Sequence, residues 1–168
     1  MQTITKPPAQ FSQDDKEAFA DLVSTAGQVD VHGLAGRIER ANLLTMMWDG
    51  DVLIGTNAIK NNPAHADSVF RNAGVPEQSK RYASELGWLT VHLDYRRRGL
   101  SHDLMEDALS KIDTSLFATS RLTLPRVHRL LQDYDFKVIG KDYKSDDGSR
   151  TLKVFVRNAP TKLIAIKA

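Results

Sequence analysis

The residues best able to do chemistry in this chain are concentrated in "LDYRRRGLSHDLMEDAL" (residues 93–109). There Arg96, Arg97 and Arg98 stand directly before Gly99, at the start of an amphipathic run. Adjacent cations repel one another, and a helix start already carries the positive end of the macrodipole. An anion would resolve both conflicts. Unpaired N–H groups at a helix start bind phosphate or pyrophosphate, arginines add charge-assisted hydrogen bonds, and glycine lets the backbone approach the ligand. The competing reading is a solvated basic turn that merely precedes a helix. His92 is of the residue type that exchanges protons near neutral pH, although a lone histidine on a strand more commonly serves structure. The chain has no cysteine, which removes thiolate nucleophiles, disulfides and cysteine-based zinc sites. No histidine–carboxylate spacing points to a metal site or a serine-type triad.

The elements that must carry this stretch follow from periodicity. A chain of 168 residues, 41% hydrophobic and 26% charged, fits one soluble α/β domain spanning 1–168. Ser12 is placed to cap a helix over about 13–25, ended by Gly27. Val31, Leu34, Ala35 and Ile38 predict a second short helix, despite Gly33 and Gly36. "NLLTMMW" and "VLIGTNAIK" read as strands joined at Asp49-Gly50-Asp51. Residues 61–80 read as polar and irregular, with a helical turn around "ADSVFRNAG". "ELGWLTVHL" (85–93) predicts a strand, Leu100 to Ile112 a helix, and "SLFATS" (115–120) a short strand. Pro125 opens another helix, and "FKVIGKDY" and "TLKVFVR" form a closing hairpin. Residues 1–10 read as a lead-in in which Pro7 and Pro8 block helix. The resulting order predicts a mixed sheet flanked by helices. Net charge is +2, too small to argue for general nucleic-acid binding. The N-terminus lacks the apolar core of a signal peptide and no run approaches membrane-spanning length, so a cytoplasmic location is the expectation.

"RRRGLS" (96–101) resembles the Gln/Arg-x-x-Gly-x-Gly/Ala signature of the GCN5-related N-acetyltransferases (the GNAT superfamily), with Ser101 in the final small position. The strand before it, the helix after it and "YDFKVIG", similar to the family's helix-ending Gly-Phe, fall in register. The resemblance covers about residues 11–157 and leaves 1–10 and 158–168 as terminal extensions. It implies the GNAT-like acyl-CoA N-acyltransferase fold and direct transfer of an acyl group, acetyl first of all, from acetyl-CoA to an amine. Neither a metal nor a covalent enzyme intermediate is needed. Arg96, Arg97, Arg98, Gly99, Leu100 and Ser101 would hold the pyrophosphate. Backbone groups at Val91, His92 and Leu93 would meet the pantetheine arm, and an N–H near Val91 would polarise the thioester carbonyl.

For the base, the resemblance points to Glu85, six residues before Val91, where one branch of the family keeps a glutamate. Even spacing places Glu85, Gly87, Leu89 and Val91 on one strand face if no bulge intervenes. His92 is a second, less well-aimed candidate. The family's asparagine and tyrosine are replaced by Leu124 and Leu131, which leaves Tyr134, one helical turn on, as the substitute acid for the leaving thiolate. Asp135 stands for the family's glycine. Arg121, just past the short strand, could meet a carboxylate of the acceptor. The acceptor would lie along residues 28–40 and 61–84. A homodimer is compatible with this picture, and membrane partners are not expected. A CoA-binding module without activity, motivated by Leu124 and Leu131, and a nucleic-acid-binding protein are the alternatives.

Overall fold

Seven strands and five helices alternate along the chain in the computed structural model, which describes residues 1–27 and 29–161. The strands are β1 (Gln2–Lys6), β2 (Leu43–Asp49), β3 (Val52–Asn61), β4 (Ser84–Val91), β5 (Leu116–Arg121), β6 (Lys137–Lys144) and β7 (Thr151–Arg157). The helices are α1 (Gln13–Thr25), α2 (Leu34–Glu39), α3 (Pro63–Asn72), α4 (Leu100–Ser110) and α5 (Pro125–Asp133). Among the described residues the strands form one sheet in the order β1-β2-β3-β4-β5-β7-β6, antiparallel throughout except for the parallel pair β4–β5.

Local chemistry accounts for most boundaries. Ser12 and Asp15 form a capping box at the start of α1, satisfying N–H groups that a helix start leaves open. The turn between β2 and β3 places Gly50 at φ 58°. Pro125 opens α5, and Asp135 takes the left-handed conformation after it, at φ 65°. Two elements depart from expectation. Residues 1–10 are not a lead-in, because β1 pairs with β2 from Gln2↔Trp48 to Lys6↔Leu44. Within 61–80 the helical turn expected around "ADSVFRNAG" is part of a longer helix: Asn62 caps α3, Pro63 opens it, and Ala66, Val69 and Phe70 are buried.

Helices cover both faces of the sheet. On one face α1 and α2 pack Phe19, Leu22, Val23 and Ile38 against Leu44, Met46 and Trp88, and α3 packs Phe70 with Phe117 and Val154. On the other, α4 and α5 contribute Met105, Leu109, Leu130 and Leu131 against Leu86, Leu116 and Phe155. No helix of the described residues is long and apolar enough to cross a membrane.

Candidate active site

The pair β4–β5 is joined only at Ser84↔Leu116 and Glu85↔Phe117. Beyond that point the two strands part, and the rest of β4 faces an opening on its β5 side. Parallel strands joined at one end and splayed at the other expose main-chain groups that a ligand can pair with.

A bulge decides which groups face the opening. The register with β3 slips between Thr56↔Thr90 and Ala58↔Gly87, and Trp88 adopts φ 56°. A bulky residue in this region costs about 1–3 kcal/mol. Burial of the indole offsets that cost, edge-on against Phe19 with ring centroids 6.0 Å apart, as does a hydrogen bond of 2.8 Å from Thr56 Oγ1 to the Trp88 carbonyl. Because the peptide bond between Trp88 and Leu89 is trans, as are all those of the described residues, the Leu89 N–H points opposite to that carbonyl, away from β3 and into the opening. Val91 is aimed the same way. The His92 N–H donates to Ile54 O at 2.8 Å, so the preceding residue turns its main-chain groups away from β3.

The bulge also corrects the facial reading of β4. Leu89 and Val91 pack beside α4 with Leu100 and Leu104. Glu85 instead meets Lys60 and His65, and the Lys60 ammonium lies 5.1 Å from the centre of the Trp88 ring on the opposite face. Glu85 and Val91 therefore do not share a face: the extra residue at Trp88 shifts the alternation by one.

At the end of β4 the chain enters a short 3₁₀ turn over Leu93–Tyr95, so Leu93 leaves the strand and is 69% exposed. The arginine loop follows. Arg97 sits at φ 65° and Gly99 at φ 76°. Left-handed residues at alternate positions turn successive N–H groups into one concavity, an arrangement suited to anions. A Cβ on Gly99 would meet no atom within 4 Å, so glycine is required there by φ and leaves room above the loop. No side chain caps α4, whose first N–H groups stay available. Arg96 Nε donates to Val91 O at 3.1 Å, and Arg98 donates to Asp94 O at 3.0 Å while lying over the Tyr95 ring. Arg96 and Arg98 thus brace the loop, and Arg97 extends from it, exposed.

Two cavities meet at the opening. A groove of about 360 Å³ runs between the start of α4 and α5, past Val91, Ser101, Arg126 and Arg129. A deeper cleft of about 390 Å³ lies beside Glu85, Trp88, Arg37 and Arg121. Leu89 and Val127 line both. Glu85 is 7% exposed, with Lys60 Nζ at 2.9 Å and His65 Nε2 at 3.5 Å. A carboxylate so enclosed needs such partners. Lys60 reaches it by crossing Gly87, where an added Cβ would lie 2.7 Å from Lys60 Cε.

Other sequence candidates are placed differently. His92 Nδ1 accepts from the Asp94 N–H at 3.3 Å and the ring abuts Tyr95; it lines neither cavity. The Tyr134 hydroxyl donates toward Glu106 Oε1 at 3.0 Å and His102 O at 3.1 Å, which ties the end of α5 to α4, and the residue also lies outside both linings. Burial, then the hydrogen bond to Glu106, pushes its phenol up to about 12. Leu124 and Leu131 line the deeper cleft themselves. Sequence reasoning did not single out Leu89, Lys60 or Arg150, whereas Arg37 and His65 fall within the stretches 28–40 and 61–84 expected to border the acceptor. Of the three, Lys60 left a signal, as the cross-strand partner of Glu85, and reading it required the register.

No family model matches the sequence, and no curated protein sequence matches it. Solved structures do match. The chain is similar to an acyl-CoA N-acyltransferase from Pseudomonas aeruginosa at 17% identity, TM-score 0.68, over 93% of this chain and 98% of that one. It has the GNAT fold. The ribosomal-protein-S18-alanine N-acetyltransferase of Escherichia coli superposes at 12% identity, TM-score 0.66, over 97% of this chain and 99% of that one. FeeM, an N-acyl amino acid synthase from uncultured soil microbes, does so at 16% identity, TM-score 0.68, over 94% and 91%. The last two, whose names specify different acceptors, thus share one fold with this chain.

Proposed function

We propose that this protein is an acyl-CoA-dependent N-acyltransferase that moves an acyl group, most simply acetyl, to an amine. The observation that carries this reading is the opening of β4 from β5, with the Leu89 and Val91 N–H groups turned into it and the arginine–glycine loop at its end. Acetyl-CoA supplies an activated acyl carbon. The residues present suit it: the amides of the loop from Arg96 to Ser101, with Arg97 beside them, bind the pyrophosphate, and the groove past Val91 takes the pantetheine arm.

The Leu89 N–H, at the junction of groove and cleft, is the donor best placed for the thioester oxygen as charge develops there. A fixed main-chain donor of this kind lowers the barrier without reorganising. The amine enters through the deeper cleft. Glu85 lies four residues from Leu89, on the other side of the Trp88 bulge, so it takes the amine proton through water. The new N–C bond forms as the C–S bond breaks, and the thiolate leaves into the groove. His92 and Tyr134, both outside the cavities, take no part, and the thiolate gains its proton from solvent.

Incubation with acetyl-CoA and a panel of primary amines tests this through release of the free CoA thiol. At least one amine is expected to give acetyl-CoA-dependent release. Stabilisation by acetyl-CoA with no release from any amine would instead favour a CoA-binding module, the alternative motivated by Leu131, which lines the cleft at the position where the family resemblance implies a tyrosine.

A further inference from the structure

The acceptor cleft is charged in a way that the transfer itself does not require. Four cationic side chains line it, Arg37, Lys60, Arg121 and Arg150, against two carboxylates, Asp30 and Glu85; Arg150 also acts on the nearby Asp147 carboxylate. Lys60 is committed to Glu85. The guanidinium of Arg37 donates to main-chain carbonyls of Asp30 and His32, which fixes its position without neutralising its charge. Arg121 makes no ion pair among the described residues.

The sheet brings Arg121 and Arg150 to one rim. Arg121 pairs with Leu152 across β5–β7, and the Leu122 N–H donates to Thr151 O at 2.9 Å. Alternation along β5 puts Arg121 on the same face as Phe117, whose ring lies 6.3 Å from that of His65, the partner of Glu85. The base and the arginine rim therefore look into the same cleft from two ends, with Arg37 on the α2 wall. The volume, about 390 Å³, lies at the small end of the range for small-molecule sites.

We propose that the acceptor is a small amine that also bears a carboxylate, an amino-acid-like molecule whose carboxylate is held by Arg121, with Arg150 adding to the positive rim, while its amine is presented toward Glu85. This rests on the acyltransferase reading and adds the acceptor's class to it. Guanidinium groups take carboxylates through paired N–H donors, and a partly enclosed site strengthens that preference over water.

Matched pairs of amino acids and their carboxamides, with acetyl-CoA saturating, form the test. The expected result is that the best-used pair favours the free acid by about tenfold or more in kcat/KM, the scale of one hydrogen-bonded charge. In Arg121→Gln the preference should fall toward unity through KM, with kcat little changed. Arg150→Gln serves the same purpose if the first variant folds poorly. Equal use of acid and amide, survival of the preference in both variants, or a stronger preference for aminophosphonates would each overturn the carboxylate assignment. So would turnover of none of the pairs while acetyl-CoA still raises the melting temperature. Failure of acetyl-CoA to bind at all would instead remove the underlying transferase reading.

Discussion

On the proposed reading, the groove beside α4 is closed by anion-binding groups from consecutive residues, the loop Arg96 to Ser101 at one strand-to-helix junction, of which Ser101 lines the groove itself. The deeper cleft assembles Arg37 from α2, Lys60 from β3, His65 from α3, Glu85 from β4, Arg121 from β5 and Arg150 from the hairpin end. In the first region, loop backbone angles do the positioning. In the second, the registers β3–β4 and β5–β7 do it, and a change anywhere in the sheet would reach the site. The contrast suits a donor that is one fixed molecule and an acceptor that differs among proteins of this fold.

Separating the two regions experimentally begins with Glu85→Gln. Loss of a positioned base is expected to lower kcat/KM by about 10²–10⁴-fold, with the acetyl-CoA melting shift retained. A variant with normal turnover across pH would take the base role from Glu85. Next in size is Thr56→Val, which frees the Trp88 carbonyl in a buried site. It should cost about 1–3 kcal/mol of stability and lower kcat by about tenfold, less than the roughly 10²–10³-fold cost of losing an oxyanion donor outright, because the donor is displaced and not removed. Urea denaturation and steady-state kinetics would check the two effects, and unchanged kcat would remove Leu89 from the oxyanion role.

The smallest effect is expected at Tyr134. Tyr134→Phe should leave acyl transfer within about twofold of wild type, since activity has no use for a proton donor far from neutral. It should still alter alkaline stability. The folded state holds the phenolic proton to about 12 against an ordinary value of 10.0. The stability from this group is therefore complete below pH 10 and is lost as pH rises through 12. Melting curves of both proteins over that interval should converge at the alkaline end.

The legible parts of the molecule were those written locally. The capping Ser12, the Asp49-Gly50-Asp51 turn, Pro125 and the arginine–glycine loop each act within a few residues, and each formed the element its chemistry predicts. The start of α3 was legible too. Asn62 and Pro63 are a cap and an opening residue, yet the polar residues around them obscured the apolar spacing of Ala66, Val69, Phe70 and Ala73. The strand β1 was hidden because a single apolar residue, Ile4, carries little pattern and two prolines follow closely. The Trp88 bulge had no local sign. It exists because Phe19 from α1, Lys60 and Thr56 converge on one residue, and only the fold brings them together. Its consequence, Leu89 rather than Val91 at the junction of the cavities, was equally beyond sequence.

Calorimetric titration of acetyl-CoA into the wild-type protein and into Gly99→Val puts the strand-opening and loop reading to its plainest test. Valine has room at this position but resists φ 76°, so it should disturb the loop amides with little effect on the core. One acetyl-CoA per chain is expected to bind the wild type, with affinity falling by about 100-fold or more in the variant, the loss of two charge-assisted hydrogen bonds. No binding to the wild type, or equal binding to both proteins, would contradict it.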